Sequence, residues 1–376
     1  MNARDPMAVA TPTHALLQST RDIVRAQLSP RVSEIDAGHY PVEILKALAS
    51  AGAMSAHLKA PHGLGDFGLA IQAMAEVSRA CGATGFMVWC QAVCGLYLQE
   101  AQSVQLREVD LPRHASGMRV GGTALSNPMK SYAQIEQFLL SADPVPGGYR
   151  VSGTLPWVSN LATDHYCGAI AALNGMESGQ ELMFLLRCDN PGIELKACPS
   201  FSGMEGTGTY ALHLKDYWVP ESDVIASPSR PLIKRIRSAF VMLQCGIAAG
   251  IIQGAIDSMW EVEPQLGHVN QYLDDRPDAL QAELDSLLER VLALAQTPYD
   301  DRDEFFVRVL DARAHGGELA LRAAQSALLH QGARGYLMSS AVQRRVRESH
   351  FVAIVTPAIK HLRKEMDRLT REELPA

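Results

Sequence analysis

The sequence predicts an α+β chain built in three parts, helical, then all-β, then helical. Three observations predict it. Apolar residues recur at helical spacing from His14 to about Gly117. From about Met118 to Ser227 the period falls to two, broken by turns rich in Gly, Pro, Asn and Asp. From about Arg230 the helical spacing returns and persists. The 376 residues suffice for two or three domains with substantial cores. The parts are placed at residues 13–117, 118–228 and 229–376, after a flexible tail at 1–12.

In the first part Leu16, Leu17, Ile23, Val24 and Leu28 form one helical stripe, and Ile44, Leu45 and Leu48 another, with Pro41 near a helix start. Ala60 to Gly68 is a turn-rich break. Helices follow over Leu69–Ser78 and Gly85–Gln99, the second apolar nearly all round, as a buried helix must be. Strands are expected at Arg119–Leu125, Gln137–Ala142, Tyr149–Val158, Tyr166–Leu173, Leu182–Arg187, Ile193–Lys196 and Tyr210–Trp218. That spacing suggests an antiparallel barrel or sandwich. The last part holds helices at Phe240–Trp260, Ala279–Ala295, Glu304–Gln331 and Pro357–Arg371, which make a bundle. Gly246, Gly250 and Gly254 on the first of these allow close helix approach.

Composition narrows the function. Hydrophobic residues are 47 % and charged residues 20 %, which describes an ordinary globular chain. A net charge of −7 gives no basic footprint for nucleic acid or an anionic membrane. The seven cysteines are scattered without CxxC pairs, which favours reduced thiols and, with no Cys/His cluster at ligand spacing, no metal site. Met1–Thr13 lacks a basic region followed by an apolar run, so no signal peptide is expected. No uninterrupted apolar stretch reaches the roughly 18 residues of a membrane span. The expected location is the cytoplasm.

The most informative stretch runs from Gly147 to Asn160. A Gly-Gly turn leads into an alternating strand, then a bend, then Trp157 and, two residues on, Ser159. In extended backbone these two point the same way, which sets an indole plate beside a hydroxyl. A planar heteroaromatic ligand can use both; a core Trp beside a solvated Ser is the plainer account.

Several motifs then fall in one order. Leu111-Pro112 with Gly117, Gly122 to Pro128, Trp157-Val158-Ser159, Trp218-Val219-Pro220 and Gly332-Ala333-Arg334-Gly335-Tyr336 together resemble the acyl-CoA dehydrogenase family over nearly the whole chain. The resemblance implies an N-terminal helical domain, a central antiparallel β-barrel and a C-terminal four-helix bundle. It implies FAD between barrel and bundle, against Trp157 and Ser159. Leu125 and Ser126 would face the pyrimidine end of the flavin. Ser131 falls near a family serine, Gly332 and Ala333 would hold the ADP part across a subunit interface, and Thr356 matches the threonine of the family's "EGT" turn. Thr356 also reads as an N-cap, with Pro357 as the first helical residue. The implied partners are an acyl-CoA or similar acyl thioester, an electron-transfer flavoprotein or flavin reductase, and further copies in a homodimer or homotetramer.

The family chemistry removes an α-proton with a carboxylate while the β-hydrogen leaves as hydride to the flavin. Here the two family base positions read Ile354 and Phe240, and an apolar side chain moves no proton. The family's diphosphate-gripping Arg is replaced within Glu263-Pro264-Gln265-Leu266-Gly267. Glu348, His350 and Glu205 are the candidate substitutes; as plain features the first two are helix-surface polarity and the third an exposed loop acid. Three functions therefore stay open. They are an acyl-thioester dehydrogenase with a displaced or absent base, a flavin-dependent monooxygenase using reduced flavin, and a non-catalytic homologue that binds an acyl thioester or a partner.

Overall fold

The computed structural model describes residues 12–175 and 180–372, and the expected N-terminal tail lies almost wholly outside them. The first part contains α1 (Pro12–Ile23), α2 (Val32–Asp36), α3 (Val42–Ser50), α4 (Phe67–Ala80), α5 (Gly82–Gln99) and α6 (Leu111–Ala115). Asp66 caps α4 by accepting from the Leu69 amide at 2.8 Å, which stops the chain reversal at Gly65 from running into the helix. α5 is buried on every side up to Leu98, as its unbroken apolar sequence requires.

The middle part holds β1 (Gly121–Thr123), α7 (Ser126–Tyr132), β2 (Leu140–Val145), β3 (Gly148–Val158), β4 (Tyr166–Leu173), β5 (Glu181–Arg187), β6 (Ile193–Ala197), β7 (Tyr210–Pro220) and β8 (Val224–Ala226). Hydrogen bonding runs in the order β6-β7-β3-β2-β4-β5-β8, with β1 on β4. Two corrections to the expected antiparallel barrel follow. The pairs β1–β4 and β2–β4 are parallel, so the sheet is mixed. Its end strands pair with only one neighbour each among the described residues, so the sheet is not closed. The physical reason lies at its ends: β8 is three residues long, and β6 presents exposed Glu194 and Lys196, charges that discourage a further strand. The short helix α7 replaces the expected run-on of the first strand. Pro128 is its third residue, where an amide would be unpaired in any case.

The last part is α8 (Arg230–Asn270), α9 (Pro277–Leu294), α10 (Asp303–Gln331), α11 (Ala341–Ile354) and α12 (Ile359–Glu372). One more helix is present than the four expected, because the polar run before Ile354 is itself helical under its Ser340 cap. α12 starts at Ile359, so Thr356 is not its N-cap and Pro357 not its first residue. α8 is about 60 Å long at 1.5 Å per residue. It is long and apolar enough to cross a membrane, yet 94 % of its most apolar window is buried inside the protein. Its small residues face α4: a Cβ on Gly250 would stand 2.3 Å from the Ala75 carbonyl oxygen and one on Gly246 2.7 Å from that of Ile71. Helices from before and after the sheet thus share one apolar core, and the sheet encloses a second, built on residues such as Leu140, Val151, Phe184 and Leu212.

Candidate functional site

A hydrogen-bonded chain crosses the seam between the start of α7 and the C-terminal helices. Ser126 Oγ at the start of α7 lies 2.8 Å from Thr356 Oγ1 in the α11–α12 turn. Gln244 of α8 donates to the Thr356 carbonyl at 2.9 Å. Arg313 of α10 donates through Nε to Gln244 Oε1 at 2.9 Å and through Nη2 to the Val352 carbonyl at 2.6 Å, near the end of α11. Arg313 is 1 % exposed and makes no ion pair among the described residues, and its Nη1 has no partner. Burial pushes its pKa down to about 10, which still leaves it charged at neutral pH. Sequence reading missed Arg313 and Gln244. The available signal was a cation on the apolar stripe Val309, Gly316, Ala320 of a core helix.

On the sheet side, Trp157 is 61 % exposed at the end of β3. A register irregularity between Leu155 and Val158 turns Pro156 and Trp157 outward together, while Val158 and Asn160 point in. Ser159 is half-buried and its Oγ sits 2.7 Å from Thr209 Oγ1, which in turn lies 2.8 Å from Thr207 Oγ1. Asn160 fixes this end of the strand. It holds a positive φ of 64°, its amide donates to the Thr207 carbonyl at 2.8 Å, and its side chain bridges the Gly121 carbonyl and the Tyr40 hydroxyl. The indole is therefore an exposed plate on a fixed base.

The other expected residues are distributed as follows. Leu125 is buried immediately before α7, and Ser131 lies partly exposed on that helix. Gly332 and Ala333 are exposed at the C-terminal end of α10, beside exposed Tyr336, Leu337 and Met338. Glu263, where the family Arg was sought, is ion-paired with Arg276 inside the continuous helix α8.

The two positions where the resemblance called for a base are unlike one another. Ile354 is 69 % exposed. Phe240 is buried and lies edge-on to Trp89, with ring centroids 5.1 Å apart. Trp89 stacks on Phe86 at 5.5 Å, and Phe86 meets Phe351 edge-on at 4.6 Å, one turn before Ile354. Aromatic rings thus link the two positions. Of the three substitutes, Glu348 is not surface polarity: it is 2 % exposed, its Oε1 accepts from the Gly82 amide at 3.0 Å, and Arg344 lies 3.3 Å away. Its Oε2 has no hydrogen-bond partner among the described residues, and burial raises its pKa from the ordinary carboxylate value. It stands at the first residue of α5, where partial positive charge favours a carboxylate. His350 is exposed. Glu205 accepts from the Phe201 amide and closes its own loop.

Comparison with known proteins agrees with this architecture. Residues 11–118 match the family model described as acyl-CoA dehydrogenase, N-terminal domain. The chain is 22 % identical over 370 residues to cyclohexane-1-carbonyl-CoA dehydrogenase of Syntrophus aciditrophicus (strain SB), covering 95 % of this chain and 96 % of that one. Butyryl-CoA dehydrogenase from Megasphaera elsdenii superposes with a TM-score of 0.87 at 17 % identity, covering 99 % and 100 % of the two chains. A glutaryl-CoA dehydrogenase from Mycobacterium smegmatis, solved in complex with FADH2, gives 0.77 at 15 % identity over 96 % and 95 %. The chain is acyl-CoA dehydrogenase-like in its fold, end to end, and in its matched N-terminal segment.

Proposed function

We propose that the protein is an FAD-holding oxidoreductase of the acyl-CoA dehydrogenase kind, acting on an acyl thioester, in which neither residue 240 nor residue 354 supplies the base. The observation that carries the flavin is Trp157, a large indole left 61 % exposed on a fixed strand end beside the Ser159 hydroxyl. Stacking a flat ring there removes apolar surface from water, of which an aromatic side chain offers about 150–250 Å² in all. The remaining residues fit the group. Ser126 and Thr356 engage one another across the seam, Ser159 engages Thr209 on the sheet side, and each keeps hydrogen-bonding capacity for another partner. FAD, when bound, supplies the hydride acceptor. The chain's own part is to stack against it through Trp157, to offer hydroxyls to its polar edge, and to hold the Thr356 turn through Gln244 and Arg313. The M. smegmatis neighbour solved with FADH2 supports the same cofactor. Exposed Gly332, Ala333 and the apolar side chains after them suit a second copy of the chain that completes the ADP end. Electrons would leave to an electron-transfer flavoprotein or arrive from a flavin reductase.

A specific observation favours a second reading of the chemistry. The ring series Phe240, Trp89, Phe86 and Phe351 links both positions where the resemblance calls for a base, and Glu348, one turn before Phe351, is turned to the Gly82 amide. That favours flavin chemistry begun by another route, or thioester binding without turnover. Absorbance spectra of the purified chain with and without added FAD test the cofactor. A yellow protein whose FAD affinity drops at least tenfold in Trp157→Ala supports the proposal; a chain that refuses FAD, or a variant that binds it unchanged, overturns it. Anaerobic bleaching of the yellow form by acyl-CoA then separates dehydrogenation from the second reading.

A further inference from the structure

A partly open groove of about 650 Å³ adjoins the seam. On one side stand Lys130 of α7 and the loop residues Ile135 and Glu136; on the other stand the α11–α12 turn, with Thr356, and the start of α12. The volume lies within the roughly 300–1,000 Å³ of ligand pockets. Its lining is cationic and apolar together. Lys130, Lys360 and Arg363 meet one carboxylate, Glu136. His361 lines it too, but burial lowers its pKa, so it adds little charge at pH 7.

Two of the cations are loosely held. Lys130 reaches Glu136 at 3.4 Å, and Arg363 reaches Glu318, which is not part of the lining. Both pairs are open to solvent, where an ion pair is worth little, so either cation can turn to a ligand at small cost. Lys360 is exposed and makes no hydrogen bond or ion pair among the described residues. The Ile359 and Lys360 amides make no backbone hydrogen bond among the described residues either, so the first turn of this 14-residue helix adds partial positive charge. Beside these charges Ile135 and Ile354 stand 45 % and 69 % exposed. Free phosphate would answer the charge and leave that apolar surface bare. An organic diphosphate covers both.

We propose that this groove takes the diphosphate of FAD, with Lys360 as its main counter-charge and Lys130 and Arg363 flanking it, all three from one chain. The inference rests on the flavin reading of the seam. A flavin whose polar edge meets Ser126 and Thr356 leaves the rest of the cofactor beside the groove that Thr356 lines. It departs from the resemblance, which sought the diphosphate's cation within residues 263–267; Glu263 stands there instead, paired with Arg276. Ammonium and guanidinium groups bind phosphate oxygens through charge-assisted hydrogen bonds, which are stronger than neutral ones.

Calorimetric titrations of the full chain with FAD, riboflavin and ADP test it. Riboflavin has the ring without the diphosphate, and ADP the diphosphate without the ring. Lys360→Glu is expected to weaken FAD and ADP about tenfold or more, the loss of one charged contact, and riboflavin less than about twofold. Lys46→Glu, at an exposed cation of α3 that does not line the groove, is expected to change none of the three. Should Lys360→Glu not fold, Lys360→Gln decides, with the same ranking of ligands. Unchanged FAD binding in the Lys360 variant overturns the proposal and leaves the flavin reading standing. Refusal of both flavins, with ADP bound in a Lys360-dependent way, does the reverse. An equal loss for riboflavin, or an equal loss in Lys46→Glu, overturns the diphosphate assignment. A chain that binds none of the three ligands overturns both readings.

Discussion

Phe240→Ala is the substitution that most directly tests how the site differs from a proton-abstracting one. The ring is buried in α8 and packs edge-on to Trp89 at 5.1 Å, while the Trp89 indole points its N–H at the Phe240 carbonyl at 3.4 Å. Truncating a buried Phe to Ala costs about 3–5 kcal/mol through lost transfer energy and the cavity left behind. About 0.5–1.5 kcal/mol of that belongs to the ring pair itself. The surroundings are poorly placed to collapse. α5 is buried all round, Trp89 is held by Phe86 on its other side, and α8 is clamped to α4 through Gly246 and Gly250. The expected loss is therefore in the upper half of that range. Equilibrium urea denaturation followed by tryptophan fluorescence measures it, since Trp89 is the nearest fluorophore and reports the pair directly. Such a loss is a large fraction of the roughly 5–15 kcal/mol by which domains are stable, so the variant is best measured at low temperature. A loss below about 1 kcal/mol would refute the reasoning, because it would mean the position is loosely filled and the rings do not occupy the space between residues 240 and 354.

The remaining predictions concern the seam and its supports. A double-mutant cycle on Ser126→Ala and Thr356→Val is expected to return a coupling of about 0.5–1.5 kcal/mol, the worth of one neutral hydrogen bond; zero coupling by denaturation would show that the two hydroxyls do not join sheet to helices. Arg313→Met strips Gln244 Oε1 and the Val352 carbonyl of donors, at about 1–3 kcal/mol each. It also removes a charge whose burial costs about 3 kcal/mol, given a pKa lowered from 12.5 to about 10. These oppose, so the net change is expected between about a 1 kcal/mol gain and about a 3 kcal/mol loss, and a loss above about 4 kcal/mol would show the guanidinium to be a strong net stabiliser. Glu348→Gln tests the buried carboxyl. Its folded pKa is raised by burial, so its contribution is fully present below the unfolded value near 4.5 and is lost as pH rises through the folded value. The wild-type chain should therefore lose stability relative to the Gln variant on going from pH 4 to pH 8, and a constant difference in thermal midpoint across that range would contradict the assigned direction.

Several positions show why the chain was readable in part. Tyr166–Leu173 is the observed β4 to the residue, because its flanks are polar turns and its interior is continuously apolar. The Trp157–Ser159 pair was read onto one face from backbone alternation alone; in the structure Trp157 is exposed and Ser159 half-buried, on either side of buried Val158. Glu348 could not be judged in the same way. Its sequence neighbours are arginines, which suggest a solvated face, whereas its true environment is Gly82, 266 residues earlier in the chain. Closure of the sheet was likewise out of reach, since strand spacing carries no information on whether the first and last strands meet.

What the sequence determined by itself was local: the periodicities that select helix or strand, the turns that end them, and the presence of apolar residues where the resemblance calls for a base. These depend on neighbours a few residues apart. The tertiary structure alone decided which distant groups face one another. It decided that Ser126 meets Thr356 across 230 residues, that Arg313 is buried in the bundle with amide and carbonyl oxygens as its partners among the described residues, and that His361 lines a cavity. Those facts follow from how helices pack over the sheet, and packing is a property of the whole chain.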